Sequence, residues 1–331
     1  MSRVLEFEGN RHEFEKPMRI ISEYDVPEDA WFFQQNSHPE WMPYSVLMEI
    51  ALQPCGFISA NSGAMLIYPE LDLHYRNLDG NGTLSKHIDL RGKTIQAEVE
   101  LYSTVASGNT VIQKHRFLLK CEGLPFYKGD TVFGYFTDEA LENQTGLDGG
   151  KAKLPWLDEN TSHDMKVYRL NDSNSRLESG KPHLKLAGNQ LNLLDEVHLS
   201  PSVGSHGKGY AYGKRIVDPK DWFFPCHFHQ DPVMPGSLGV EAILQALQVF
   251  CLDQKLGDSF SNPRFRPSLS QTRWKYRGQI IPTTGMMQLE LHVSKIEKQD
   301  DQLMLVADAS LWRDELRIYE VQDISLVIEE A

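Results

Sequence analysis

Apolar and polar residues alternate along several segments of this chain, and a period of two predicts β-strands. TIQAEVELYS at 94–103 and GMMQLELHVSKI at 285–296 are two such segments, and each places its apolar side chains largely on one face. Strands of this kind are typical of antiparallel sheets with one face exposed to water. Two other segments, about 45–58 and 237–253, are apolar on nearly every side, which predicts buried helices.

The pattern occurs twice along the chain. Residues 26–53 resemble residues 217–245, because both contain an acidic lead-in with proline, then WFF, a short loop, the order M-P-x-S-x-x-x-E and an apolar helical run. Glu49 aligns with Glu241 at an offset of 241 minus 49, or 192. A repeat that preserves its order over this distance indicates two copies of one fold.

Each copy is predicted to contain one or two strands, a loop, one helix and several further strands. One buried helix wrapped by a curved antiparallel sheet is a hot-dog arrangement, so the predicted fold is an α+β double hot-dog. We place the N-terminal copy at 1–138 and the C-terminal copy at 184–331. The segment 139–183 is rich in Asn, Ser, Asp, Gly and Lys, which predicts a linker, with Trp156 packed down.

Length and charge narrow the range of partners. The chain has 331 residues and a formal net charge of −13, which argues against binding nucleic acid or an anionic membrane through overall charge. It shows no N-terminal signal and no apolar run approaching the roughly 20 residues of a membrane helix, so we expect a cytoplasmic globular protein. The four cysteines form no CxxC pair, which favours reduced thiols over disulfides or structural zinc.

The clearest candidate for chemistry is CHFHQDPVMPGSLGVEA, residues 226–242. Pro235 and Gly236 end a loop, and Ser237 is predicted to cap the helix that follows. Unpaired N–H groups of the first helical turn can bind a polarised carbonyl or a developing oxyanion. His227 lies on the loop and Glu241 one turn into the helix. An imidazole, a buried carboxyl and an N–H cradle together indicate acid–base chemistry on a carbonyl compound.

These residues also have simpler interpretations. A glutamate near a helix start can merely compensate the helix dipole, and a loop histidine commonly has no special role. His227, His229 and Asp231 are spaced like metal ligands. No further histidine or carboxylate cluster completes a ligand shell, so we expect no metal.

The segment 226–242 closely resembles the active-site segment of the β-hydroxyacyl-acyl-carrier-protein dehydratases of bacterial fatty-acid synthesis. The likeness is closest to the dehydratase/isomerase branch, with its signature H-F-x-G-D-P-V-M-P-G-x-L-G-x-D-A, and the tandem layout resembles the dehydratase region of bacterial polyunsaturated fatty-acid synthases. The resemblance implies that His227 is the catalytic histidine and Glu241 the catalytic acid. Gly236, with Ser237 beside it, would bind the thioester carbonyl. Gln230 stands where the family has glycine, and Glu241 where this branch has aspartate, so the motif does not decide isomerisation.

In that family the hot dogs pair, and each site takes its histidine from one copy and its acid from the other. The resemblance therefore implies an internal pseudo-dimer in which His227 meets Glu49, while Glu241 faces the loop of the first copy. That loop is one residue shorter and places Asn36 or Gln35 where the histidine belongs. We expect one working site with Glu49 and one degenerate site around Glu241; the alternative is that Glu241 itself partners His227.

The implied activity is dehydration of a 3-hydroxyacyl thioester to the 2-enoyl thioester. The substrate would be carried on the phosphopantetheine of an acyl carrier protein, and the enzyme would need no cofactor of its own. The acyl chain would lie beside the central helices, against Leu47, Ile50, Leu238 and Ile243. A hot-dog thioesterase and a non-catalytic acyl-binding module of a synthase are the alternatives. Monomer and further homodimer are both compatible with the sequence.

Overall fold

The structure is a computed structural model that describes residues 1–160, 165–171, 177, 180–299 and 301–330. Its strands are β1 (Arg3–Glu8), β2 (Met18–Asp25), β3 (His74–Leu84), β4 (Thr94–Ser107), β5 (Thr110–Cys121), β6 (Leu124–Phe136), β7 (Lys166–Arg169), β8 (Glu196–Ser200), β9 (Tyr210–Ile216), β10 (Pro263–Pro267), β11 (Gln271–Tyr276), β12 (Met286–Gln299), β13 (Gln302–Arg313) and β14 (Leu316–Glu330). The α-helices are α1 (Trp31–Gln35), α2 (Tyr44–Ser62), α3 (Asp138–Glu142), α4 (Trp156–Glu159) and α5 (Gly236–Asp253), and short 3-10 turns occupy Ala64–Ile67 and Asn189–Leu191.

The first compact unit comprises Met1–Ala30, Tyr44–Gln144 and Leu269–Tyr276. Its antiparallel strands follow the order β1-β2-β4-β5-β6-β3-β11. Helix α2 packs against β2, β4 and β5, and Met48, Cys55 and Ile58 on it are fully buried. Burial of one such large apolar side chain contributes roughly 1.5–3 kcal/mol, which is why this helix is held at the centre of the unit.

The second unit comprises Trp31–Pro43, Thr145–Ser268 and Arg277–Ala331. Its strands follow the order β14-β13-β12-β9-β8-β7, and β10 pairs with β14. Helix α5 packs against β9, β12 and β14, and every residue from Ser237 to Leu252 is buried. A helix that is apolar on all sides is stable only when surrounded, and this one is.

The two units have the same arrangement of elements, and equivalent residues are 192 positions apart, as the sequence predicts. Helix α2 begins at residue 44 and α5 at residue 236, and 236 minus 44 is 192. The β4–β5 register shifts between Leu101 and Ser103, and the β12–β13 register shifts between Val293 and Lys295; 293 minus 101 is again 192. A bulge repeated at the same place in both copies confirms the duplicated α+β hot-dog fold.

Two segments belong to a different unit from the one that the predicted domain boundaries give them. Trp31–Pro43 belongs to the second unit, where the Trp31 ring lies 5.3 Å from the Trp222 ring, centroid to centroid. Leu269–Tyr276 belongs to the first unit, because β11 pairs with β3. The predicted linker 139–183 contains α4 and β7 of the second unit. Residues 161–164, 172–176 and 178–179 of that linker lie outside the described residues.

The segment Tyr44–Ile67 is long and apolar enough to cross a membrane by length and composition alone. This differs from our expectation that no apolar run approaches the length of a membrane helix. Pro54, Gly56 and the serines interrupt the apolar residues, but the segment stays apolar on average. Half of the most apolar 18-residue stretch of this segment is buried. The core helix of a globular domain can have the same length and apolar composition.

Candidate active site

His227 lies on the loop between β9 and α5 and is half-buried. Its Nδ1 is 2.9 Å from the carbonyl oxygen of Val233, and the Val233 N–H donates to the His227 carbonyl oxygen at 2.8 Å. Because a carbonyl oxygen only accepts, Nδ1 carries the proton of the neutral ring and Nε2 keeps its lone pair. The histidine is therefore held in the tautomer that a general base needs.

The tip of this loop closes on itself. The Phe228 N–H donates to the carbonyl oxygen of Asp231 at 2.9 Å, and the Asp231 N–H donates to that of Phe228 at 3.2 Å. Between them Gln230 has a φ of +60°, in the left-handed region. That conformation costs a residue with a Cβ roughly 1–2 kcal/mol, which explains in physical terms why a glycine suits this position. Gln230 thus departs from the family motif at a strained position of a closed loop.

Helix α5 begins immediately after this loop. Pro235 occupies the N-cap without a side-chain hydrogen bond, and Gly236 is the first helical residue. The prediction that Ser237 caps the helix is wrong, because Ser237 lies inside the first turn, 2 % exposed. The Leu238 N–H bonds the Pro235 carbonyl oxygen at 3.0 Å, and Gly236 remains partly accessible. The amides of this first turn point out along the positive end of the helix dipole, where a carbonyl oxygen can be bound.

Glu241 is buried in α5, with 7 % of its surface exposed. Gln245 and Gln248, four and seven residues further on, share its helical face and are also buried. Gln245 is satisfied by the Leu193 N–H at 2.9 Å and by Asn192 Oδ1 at 3.1 Å. The otherwise apolar helix therefore carries one stripe of buried polar residues: Ser237, Glu241, Gln245 and Gln248.

The loop of the first copy reaches this stripe within the second unit. Gln248 Nε2 donates to Ser37 Oγ at 3.3 Å. Beside it, Asn36 Nδ2 donates to the carbonyl oxygen of Trp41 at 2.7 Å, as the histidine of the second copy does to the residue before its own Met-Pro. Asn36 is therefore the structural counterpart of His227. From the sequence alone, either Asn36 or Gln35 could take this position. Gln35 instead lies in α1, where its Oε1 accepts the Gln190 N–H at 2.9 Å.

Glu49 lies in α2 of the first unit and is half-buried. His227 and Glu241 both belong to the second unit. Which of the two glutamates, Glu49 or Glu241, is the acid stays a prediction. All four predicted acyl-contact residues are buried in the two central helices: Leu47 5 %, Ile50 9 %, Leu238 4 % and Ile243 0 % exposed. Their burial fits both a wall of an acyl site and ordinary core packing, and their role also stays a prediction.

Sequence reasoning missed Val233, whose carbonyl sets the tautomer of His227. Val233 directly precedes Met-Pro, as Trp41 does in the first copy, but a backbone acceptor is independent of residue type, so the motif does not single it out. Among the described residues, no group of three or more His, Cys, Asp or Glu is arranged to hold a metal ion. His229 is exposed.

Residues 186–322 match the family model described as a FabA-like domain. The chain is 37 % identical over 321 residues to one of the polypeptides of the polyunsaturated fatty acid synthase of Thraustochytrium sp., a match that covers 93 % of this chain and 21 % of that protein. The chain thus spans about a fifth of the length of the curated relative it matches.

Two solved structures resemble the chain over nearly its whole length. A CurK dehydratase gives a TM-score of 0.51 at 11 % identity and covers 97 % of both chains. GphF dehydratase 1 gives a TM-score of 0.51 at 12 % identity and covers 98 % of this chain and 97 % of the other. At such low identity the likeness concerns the fold alone, and it confirms the double hot-dog arrangement.

Proposed function

We propose that this chain, which carries a FabA-like hot-dog domain of the dehydratase type, removes water from 3-hydroxyacyl thioesters to give 2-enoyl thioesters. The observation that carries the proposal is the orientation of His227, whose Nδ1–H is tied to the Val233 carbonyl oxygen at 2.9 Å directly before the start of α5. A base whose Nε2 has no hydrogen-bond partner among the described residues, on the loop that leads into a partly accessible helix start, supports chemistry next to a thioester carbonyl.

In the proposed mechanism the thioester carbonyl oxygen accepts a hydrogen bond from the Gly236 N–H. That bond stabilises the negative charge that develops on the oxygen when the α-carbon loses its proton. His227 Nε2 takes the α-proton, the α–β double bond forms, and the bond from the β-carbon to its hydroxyl breaks. A glutamic acid gives its proton to the departing hydroxyl, which leaves as water. Ser237 would contribute through its backbone amide in the same turn.

We assign the acid to Glu49 rather than to Glu241. The first-copy loop, with Asn36 in place of the histidine, lies in the same unit as α5 and bonds Gln248 on the face that Glu241 shares. This supports a crossed arrangement in which each helix faces the loop of the other copy. In such an internal pseudo-dimer, Glu241 belongs to a degenerate site and Glu49 is left for His227.

The proposed substrate is delivered on the phosphopantetheine of an acyl carrier protein in fatty-acid synthesis, and no cofactor of the enzyme itself takes part. The similarity to part of a polyunsaturated fatty acid synthase supports this assignment. The acyl chain would lie against Leu47, Ile50, Leu238 and Ile243, and isomerisation of the new double bond would be a further step in the same site. A cytoplasmic location is part of the same proposal.

The test is turnover of a 3-hydroxyacyl thioester by the wild type and by three variants: His227→Ala, Glu49→Gln and Glu241→Gln. We expect the α,β-unsaturated thioester, detected by its near-ultraviolet absorption, to form with the wild type and with Glu241→Gln. His227→Ala and Glu49→Gln should lose at least about a hundredfold, the usual contribution of a general acid or base. Full activity in Glu49→Gln with loss in Glu241→Gln would reverse the assignment of the acid.

Two other results would reject dehydration itself. Release of free thiol without an unsaturated product would indicate a thioesterase. A bound acyl thioester that is never converted, even at high protein concentration, would indicate a non-catalytic acyl-binding module.

A further inference from the structure

The sheet of the second unit is extended at its edge by a short basic strand. β7, with the sequence KVYR, pairs antiparallel with β8, and Arg169 Nε lies 3.6 Å from the Glu196 carboxylate. Lys166 and Tyr168 of the same strand both reach the Asp253 carboxylate at the end of α5. A segment from the predicted linker therefore completes this sheet through strand pairing and through opposite charge.

The same linker also covers the outer face of that sheet. We call residues 145–160 the covering segment. Asp148 binds the Arg317 guanidinium through two bonds of 2.8 and 2.7 Å, and Trp312 Nε1 donates to the Lys153 carbonyl oxygen at 2.7 Å. The Trp156 N–H donates to Glu290 at 2.6 Å. Under this cover the Glu290 side chain is only 8 % exposed.

The first unit has the corresponding strands, but none of the residues that the structure describes forms the corresponding cover. By the offset of 192, Glu98 on β4 corresponds to Glu290 on β12, since 290 minus 98 is 192. The Glu98 side chain is 35 % exposed. β1 occupies the position of β8, all six of its residues are exposed, and β2 is its pairing partner within the described part of the chain. Within the described part of the chain, no segment occupies the strand edge and the sheet face of the first unit that correspond to those held by β7 and the covering segment in the second.

This open face forms a groove of about 420 Å³ in the first unit. Six charged residues line it: Glu6, Glu8, Glu98, Glu100, Arg19 and Arg116. Both arginines are bound to Glu100, each at 3.3 Å, and Glu98 is bound to Lys120. Glu6 and Glu8 therefore remain as the carboxylates of the groove that form no ion pair with the described residues. Ile21 and Leu118, both half-buried, supply an apolar floor between these charges.

We propose that β1 and this groove bind an extended polypeptide segment in which basic residues flank apolar or aromatic ones, added as a strand to β1. β7, with the sequence KVYR, pairs with β8, and β8 is the strand to which β1 corresponds. KVYR is therefore the pattern for this partner. Its lysine or arginine, on the strand beside β1, would pair with Glu6 and Glu8. Strand addition supplies affinity through main-chain hydrogen bonds, and the side-chain charges supply the selectivity.

A second copy of this chain fits the same edge less well. Antiparallel pairing of β1 with another β1 would bring Glu6 and Glu8 of both copies into one groove and place like charges together. The β1–β2 register also shifts between Val4 and Glu6, and an edge bulge disfavours continuous pairing of two identical strands. A basic segment removes the charge excess, whereas a second copy doubles it.

The test uses the full-length protein and a labelled, end-capped peptide with the sequence MKVYRLN, residues 165–171. We expect saturable binding by fluorescence anisotropy, with chemical shift changes at the amides of β1. The double variant Glu6→Lys/Glu8→Lys should bind at least about tenfold more weakly, as expected when two attractive charge pairs become repulsive. Glu6→Gln/Glu8→Gln should lose less, and it keeps the test valid if the reversed variant fails to fold.

The matched control is Glu15→Lys/Glu70→Lys, which changes net charge equally at two exposed positions of the same unit. It should bind the peptide as the wild type does. Equal loss in both double variants would show non-specific attraction, and absence of binding at millimolar peptide would overturn the proposal. Self-association of the chain that Glu6→Lys/Glu8→Lys abolishes would assign the edge to a second copy instead.

Discussion

A buried histidine in the first unit should make that unit sensitive to mild acid. His115 on β5 is fully buried, and its Nε2 lies 2.9 Å from Ser59 Oγ of α2, which also lies 2.9 Å from the Tyr75 hydroxyl. The ring packs edge-on against Phe133 at 5.6 Å, and Nδ1 has no hydrogen-bond partner among the described residues. Burial lowers the pKa of His115 from 6.5 to about 3.

The sign and size of the effect follow from proton binding. In the unfolded chain His115 takes up a proton as the pH falls through about 6.5, whereas the folded form stays neutral down to a pKa of about 3. Unfolding therefore binds a proton in this window, and the free energy of unfolding falls by about 1.4 kcal/mol per pH unit. Stability from this group is complete above pH 6.5, and about 2 kcal/mol of it should be lost at pH 5.

Hydrogen exchange in peptides from β5 measures this loss within the first unit. After correction for the intrinsic exchange rate, wild-type protection should fall roughly thirtyfold between pH 7 and pH 5 because of His115. His115→Gln, which can keep the bond to Ser59 without titrating, should lack that component. His12→Gln, at an exposed position of the same unit, is the control and should behave as the wild type. An unchanged pH response in His115→Gln would refute the reasoning.

Two further substitutions test the loops. Gln230→Gly should raise the free energy of unfolding by about 1 kcal/mol, because glycine adopts the φ of +60° without strain; a lower melting temperature would contradict this. Asn36→Ala should lower the free energy of unfolding by about 1 kcal/mol in urea unfolding, because the partly buried hydrogen bond to the Trp41 carbonyl is lost, while turnover stays at the wild-type rate. Loss of turnover without loss of stability in Asn36→Ala would place this residue in the chemistry rather than in the degenerate loop.

The repeated pattern of the sequence was sufficient to predict the two central helices and the duplicated fold. The M-P-x-S-x-x-x-E alignment gave the offset of 192 that relates Tyr44 to Gly236 as helix starts. Such features are readable because burial imposes apolar periodicity on every residue of a helix or strand. The position of His227 on the loop before α5 followed from the same pattern.

Other features depend on tertiary contacts that leave no periodic mark. The sequence predicted a cap at Ser237, since serine is a good N-cap, but Pro235 takes that position because the helix begins two residues earlier than expected. β7 and the covering segment were predicted as linker, because four-residue strands and polar turns resemble loops in composition. The choice between Asn36 and Gln35 required the bond to Trp41, which only coordinates reveal.

The placement of Trp31–Pro43 in the second unit bears on how the chain can be divided. A truncated polypeptide beginning at residue 184 would retain α5 but lose the partner of Gln248 and the indole that packs on Trp222. Gln248 would then lose its hydrogen bond to Ser37, and Trp222 would lose its contact with Trp31. The C-terminal half is therefore a poor candidate for autonomous expression unless residues 31–43 accompany it.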